Sequence, residues 1–244
     1  ESVSKAKTAD IKAGVISFMY YEDVFSPMIT ARVVVANTGN VIEGEDGKIQ
    51  SLYNGFPLRG GERLEIKIAG NSQDNQGLEF NDFYVGSITD VNIDAEREIF
   101  TLNLISREAI TNETVRVGKK FPSSQKISDS VEDICKNYLN SEKLYDVDET
   151  QNPYGFIGNM KKPFTLMTWL ASKSVPASAS KEDSTAGYFF FETQKGFRFK
   201  SIDQLIDQTP FQEKYVFTPG VVDYKGKGND FKILEYSTSK NQNL

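Results

Sequence analysis

Two adjacent carboxylates, Glu22 and Asp23, stand in the stretch YYEDVFS beside Tyr20, Tyr21 and Phe25. Paired acids among aromatic rings are the equipment of a glycosidase, in which one carboxyl protonates the leaving oxygen and the other attacks or activates water. That chemistry needs two carboxyls several ångströms apart across a cleft, normally carried on different strands. Neighbours in a strand point to opposite faces, and acids in a turn more commonly hydrogen-bond nearby backbone. A histidine-free hydrolase could instead draw on Glu22 or Glu192, the latter in YFFFETQKG. The weight of the pattern is on a structural corner.

Other motifs carry less chemistry. VVVANTG has the outline of an aspartic-protease Asp-Thr-Gly, but Asn37 stands in the acid's place and an amide cannot share the proton that dyad needs. DYKGKGND has glycines and lysines without the strand–loop–helix context or the Lys-Ser/Thr ending of a phosphate loop. NET at Asn112 matches a glycosylation acceptor by accident of composition. The chain has no histidine and one cysteine, which removes Ser-His-Asp and Cys-His nucleophiles, the commonest metal ligand and any internal disulfide. Cys135, in VEDICKNYL, belongs to a buried helix face. No cofactor or metal is expected.

The elements that hold these residues are legible from periodicity. Ile29, Ala31, Val33 and Val35 share one strand face; so do Leu64, Ile66 and Ile68, and Phe100, Leu102 and Leu104. Phe83 and Val85 are expected to share a face with Val91 and Ile93. NTGN, EDGK, RGGE and NSQDNQG supply turns, so residues 11–106 predict an antiparallel barrel or sandwich. The pattern then changes. Ile127, Val131, Ile134, Cys135, Tyr138 and Leu139 form a helical stripe, with Ser128 and Asp129 as N-cap oxygens. A second helix starts at Pro163, aligns Phe164, Met167, Leu170 and Ala171, and is stopped by Pro176. ASASKEDSTAG reads as a flexible loop, and GYFFFETQKGFRFKSI as an aromatic hairpin turning at TQKG. Its rings suit one face of a core better than a stacking platform.

In 244 residues, 39% apolar and 25% charged, the composition describes a globular chain of about two domains. No apolar run is long enough to cross a bilayer, and the first residues lack a signal pattern. A formal charge of −6 argues mildly against gripping nucleic acid, and would not bar DNA from sliding past an acidic wall.

FMYYEDVFSPMITARVVVANTG, LYNGFPLRGGERLEIKI, REIFTLNLISREAITNETVRV, KISDSVEDIC, IGNMKKPFTLMTWLASKSVP and GYFFFETQKGFRFKSIDQLI occur in an order that resembles the baseplate central hub proteins of contractile-tailed (myovirus) phages. The likeness covers roughly residues 9 to 236 and is strongest to cyanophage-type hubs; it rests on the order of many weak pieces. It implies a fold that is mainly β plus α+β. Residues 1–8 would be a flexible lead, 9–115 an N-terminal antiparallel β-barrel of the hub kind, 116–222 an α+β outer domain, and 223–244 the start of a second barrel that is mostly lacking.

The resemblance further implies a structural protein of the virion tail, made in the host cytoplasm, with no enzymatic activity and no membrane insertion. Its expected partners are itself, as a homotrimeric ring, the hexameric tail tube protein, the trimeric spike or cell-puncturing protein and baseplate wedge proteins, with DNA only in passage. Tyr20, Tyr21, Glu22, Asp23 and Phe25 are the candidate assembly contact, because tyrosines are enriched in interface cores. Closure of the barrel's end by the same side chains is the competing expectation. A tail carbohydrate-binding module, using the aromatic hairpin, is the alternative function.

Overall fold

The computed structural model describes residues 8–37, 42–43, 47–55, 58–69, 77–93, 97–177, 187–209, 215–217 and 231–233. By backbone contacts, Glu1–Asp203 form one compact unit and Gln204–Leu244 a second.

The first unit opens with strands β1 (Val15–Tyr21) and β2 (Thr30–Asn37), joined through the acidic bend. After β3 (Ile42–Glu43), β4 (Ile49–Gln50) and the single turn α1 (Leu52–Gly55) come β5 (Arg63–Ile68), β6 (Leu78–Ile93) and β7 (Glu98–Ser106). Five of these form an antiparallel sheet in the order β1-β2-β7-β6-β5. Alternation works as predicted in β2 and β7: Ile29, Ala31, Val33, Val35, Phe100, Leu102 and Leu104 are all buried.

The sheet is curled. In a flat sheet β1 and β6, three places apart, would lie about 14 Å from one another. Yet the Tyr20 and Phe80 ring centroids are 4.6 Å apart, and Phe18 also reaches Phe80. Among the described residues no ladder joins β1 to β5, so the sheet is a curled half-barrel whose mouth is filled by side chains.

β6 departs from simple alternation. Bulges lie between Val85 and Ser87 and between Thr89 and Asn92. Each extra residue flips the facing of those that follow. The first hands the inward face from Val85 to Ile88. The second restores the original phase, but β6 is exposed on both faces from Thr89 on, so Val91 and Ile93, expected buried with Phe83 and Val85, are exposed at 42% and 50%.

A helix that periodicity did not signal, α2 (Arg107–Thr114), follows β7 directly. Then come β8 (Lys120–Phe121), α3 (Ile127–Asn137), β9 (Leu144–Val147), β10 (Phe156–Ile157), α4 (Pro163–Ala171) and the hairpin β11 (Tyr188–Thr193)–β12 (Gly196–Ser201). The short α5 (Ile202–Ile206) ends this run. β12 also pairs in parallel with β9. The α3 stripe is buried at Ile127, Val131, Ile134, Cys135 and Leu139, and α4 buries Phe164, Met167, Leu170 and Ala171. These residues and the hairpin rings make one hydrophobic cluster; the half-barrel interior makes another. β7 is the wall between them, since Phe100, Leu102 and Leu104 face the half-barrel while Ile105 packs on the helical cluster.

The caps differ from expectation. The N-cap of α3 is Lys126, with Ser128 already inside the helix. The Ser128 main-chain N–H donates to Thr150 Oγ1 at 3.1 Å, so a distant threonine does the work predicted for Ser128 and Asp129. α4 likewise takes its capping oxygen from elsewhere: Phe164 N–H donates to Asn112 Oδ1 at 2.8 Å. The glycosylation-like asparagine is thus a buried structural amide.

In the second unit, β13 (Tyr215–Phe217) and β14 (Phe231–Ile233) pair in parallel. Most of the ASASKEDSTAG loop, the last two residues of VVVANTG and all of DYKGKGND lie outside the described residues.

Candidate functional site

The acidic bend turns inward on the chain. Glu22 Oε1 accepts the Tyr20 hydroxyl at 2.5 Å and the Gln194 main-chain N–H at 2.6 Å. Asp23 folds the bend locally, its Oδ1 accepting Phe25 N–H at 2.8 Å in an Asx turn. The Phe25 ring meets Phe189 edge-on at 5.3 Å, although the side chain is 77% exposed. Ile29 N–H donates to Glu192 Oε2 at 3.0 Å. Residues 20–29 therefore grip the β11–β12 hairpin at three points.

Of the five candidate contact residues, Tyr20 faces inward on Phe80 and Phe83, and Glu22 and Asp23 are occupied by hydrogen bonds. Tyr21 and Phe25 present large apolar surfaces outward; the Tyr21 hydroxyl contacts Met19 Sδ at 3.4 Å. Burial, then the Glu22 carboxylate, pushes the Tyr20 phenol well above its ordinary range, so it stays a donor.

Glu192, 1% exposed, is the most perturbed acid at the grip. Burial pushes its carboxyl up to about 7, against the pull of Ile29 N–H. The buried Ser106 hydroxyl faces the same carboxyl without reaching full hydrogen-bond geometry. A cavity of about 200 Å³ adjoins Glu192, with Glu79, Asp82, Ser106 and Lys143 on its walls. That is below the roughly 300–1,000 Å³ of small-molecule sites. Glu79 is paired with Lys67, and Asp82 lies 3.6 Å from both Arg63 and Lys143. The acids considered for hydrolysis, Glu22, Asp23 and Glu192, each have a carboxylate oxygen held by a main-chain N–H, and Glu192 lies in the interior.

Next to this seam Glu108 is fully buried, yet its carboxyl is held below the ordinary range. Burial opposes its charge, but Lys143 at 3.2 Å, the Ser141 hydroxyl at 2.8 Å and Arg107 at 3.0 Å outweigh it. This charged cluster was invisible in the sequence, since Ser141 and Lys143 lie 33 and 35 residues from Glu108.

The hairpin aromatics are core. Phe190 and Phe197 stack at 5.3 Å, and Tyr188, Phe190, Phe191, Phe197 and Phe199 are each at most 8% exposed. These five rings leave no face for a sugar or base. Trp169 packs edge-on against Tyr154 and Phe156 and borders a groove of about 670 Å³ with Pro27, Met28 and Ile105. Among the described residues no cluster of acids and cysteine could hold a metal ion, and no helix is long and apolar enough to cross a membrane.

With this geometry in hand, solved structures provide the comparison. The fold is similar to the 43 kDa tail protein of prophage MuSo2 from Shewanella oneidensis, with a TM-score of 0.50 at 12% identity over 75% of this chain and 49% of that one. It is equally similar to a tail protein from Neisseria meningitidis MC58, at 0.50 and 9% identity over 84% of this chain and 50% of that one. The chain shares its fold with these two tail proteins. It spans about half the length of the tail proteins it matches. No protein-family model and no curated protein matches its sequence.

Proposed function

We infer that this chain is a structural component of a phage tail baseplate, the central hub whose ring joins tail tube to spike. The observation that carries the reading is the fold shared with two tail proteins over three-quarters or more of the chain. The ordered resemblance to contractile-tail hubs, cyanophage-type ones above all, adds the finer role: a homotrimer, a hexameric tube above, a spike below, wedge proteins around it and DNA in passage.

In this reading residues 9–115 close into a barrel within the ring, 116–222 lie outside it, and 223–244 begin a second barrel. Two separate hydrophobic clusters support the first division. Open sheet edges at β1 and β5, among the described residues, support assembly, because unpaired strand edges need a partner or a cover. Tyr21 and Phe25 are the outward part of the contact, with Tyr20, Glu22 and Asp23 shaping it from within.

Native mass measurement of the full-length protein, alone and with its spike protein, tests the proposal. A threefold mass and spike association are expected. A full-length protein that stays monomeric at tens of micromolar and ignores the spike sinks the hub reading.

A further inference from the structure

The contact between the bend and the hairpin combines features that a static strut does not need. Glu192, on β11, extends into the interior and takes the main-chain N–H of Ile29, 163 residues away. A buried carboxyl in that position must either keep its proton or carry an uncompensated charge.

Burial favours the proton, and the charges around the seam oppose one another. From α2, Arg107 and Glu108 face the seam; from β6, Asp82; and from the segment before β9, Lys143. Arg63 also reaches Asp82, so three cations face two anions, and it is burial rather than the balance of charge that opposes ionisation of Glu192. Of the remaining groups, Glu79 is matched by Lys67, while Glu22 and Lys195 are exposed at the hairpin turn and opposite in sign. Tyr20 stays neutral. Ionised, Glu192 adds a negative charge beside the buried Glu108 carboxylate, and the adjoining cavity of about 200 Å³ is where water would enter to solvate it.

We propose that this seam is a proton-operated clasp: with Glu192 protonated the 20–29 bend packs dry against the β11–β12 hairpin, and ionisation, which calls for water around the carboxylate more than it strengthens the Ile29 N–H bond, loosens that packing. The proton leaves Glu192 for solvent through the cavity, and no other bond changes. The Glu22–Gln194 hydrogen bond and the Phe25–Phe189 contact are the grips that open with it. Burial sets the working range, from the ordinary 4.5 up to about 7. The direction is fixed by sign: the clasp is tight on the acid side and slack on the alkaline side. Because Pro27 and Met28 border the same groove as Trp169, opening also changes the surroundings of the sole tryptophan. The inference does not rest on the hub reading.

Hydrogen exchange of the peptides covering 22–31, corrected for intrinsic pH dependence, and Trp169 fluorescence between pH 5 and 8.5 test it. Protection of the bend should fall tenfold or more as pH rises from 5, with a midpoint at about 6, halfway between the ordinary 4.5 and about 7, and a plateau above that, since one pKa unit of coupling is a factor of ten. Trp169 emission should follow the same midpoint. In Glu192→Gln the bend should keep its low-pH protection at every pH. In Lys143→Met the midpoint should rise, because the cation that favours the ionised form is gone. Unchanged wild-type protection across the range overturns the proposal. So does a transition that survives in Glu192→Gln. If that variant fails to fold, a Lys143→Met midpoint that stays put or falls does the same.

Discussion

Glu22 Oε1 accepts the main-chain N–H of Gln194 at 2.6 Å across 172 residues of chain. The same oxygen receives the Tyr20 hydroxyl, so one carboxylate ties the end of β1, its own bend and the tip of the β11–β12 hairpin. An acid that reads as half of a catalytic pair serves as a cap for a distant turn. Substitution should therefore be felt as lost stability. Glu22→Ala should cost about 1–3 kcal/mol, the range for charge-assisted hydrogen bonds, and Glu22→Gln less, since an amide oxygen still accepts. Urea unfolding gives both values; equal losses would contradict the capping role.

The pH dependence of global stability has a definite sign. Glu192 titrates near 7 when folded against an ordinary 4.5, so the native state holds the proton more tightly. Its contribution to stability is complete below about pH 4.5, declines as pH rises to 7 and is lost beyond, by at most about 3 kcal/mol. Glu108 is depressed and works the other way, its contribution being lost as pH falls through the acid range. Glu192→Gln should flatten the decline between pH 4.5 and 7 without touching the acid limb. Chemical unfolding across that range measures the difference.

Glu108 carries a larger penalty. Its carboxylate is buried with Lys143, Arg107 and Ser141 as partners. Glu108→Ala strands those donors and should destabilise by about 3–5 kcal/mol, as breaking buried ion pairs does. Thermal unfolding checks it, and a loss under about 1 kcal/mol would show the cluster to be dispensable.

Gly196 should not tolerate a side chain. Its φ is +126°, and a Cβ there would lie 2.1 Å from the Lys143 carbonyl oxygen. That approach lets Phe197 N–H reach the same carbonyl at 2.7 Å. Gly196→Ala should cost about 3 kcal/mol from strained backbone and a displaced strand contact together. A near-neutral result in a denaturation series would refute the close approach.

Cys135 should be chemically silent in the native protein. Its Sγ lies 3.4 Å from Met167 Sδ in the helical cluster, and burial pushes the thiol up to about 12. Disulfide-exchange reagent should label it only on unfolding. Labelling of the native protein at the rate of a free thiol would contradict the packing.

Legibility divided along a physical line. The inward faces of β2 and β7 and the stripes of α3 and α4 stood in the local pattern, because one-sided burial repeats with the period of the element. The hairpin at Gln194–Lys195 was marked by its turn residues. α2 was missed because its eight residues, REAITNET, are polar; only Glu108, Ala109 and Asn112 are buried there, two of them by hydrogen bonding rather than hydrophobicity. Val91 and Ile93 were misplaced because the end of β6 is exposed on both faces from Thr89 on, which alternation of residue types cannot register.

Alternation and stripe thus determined that this chain would build a β half followed by helices and a hairpin. Tertiary structure alone decided what the polar residues do: Thr150 and Asn112 cap helices far from themselves, Glu22 caps a turn, and Glu192 becomes a buried proton site. Apolar burial is encoded by each residue's neighbours along the chain, whereas a hydrogen bond is decided by whichever donor the fold brings to within about 3 Å.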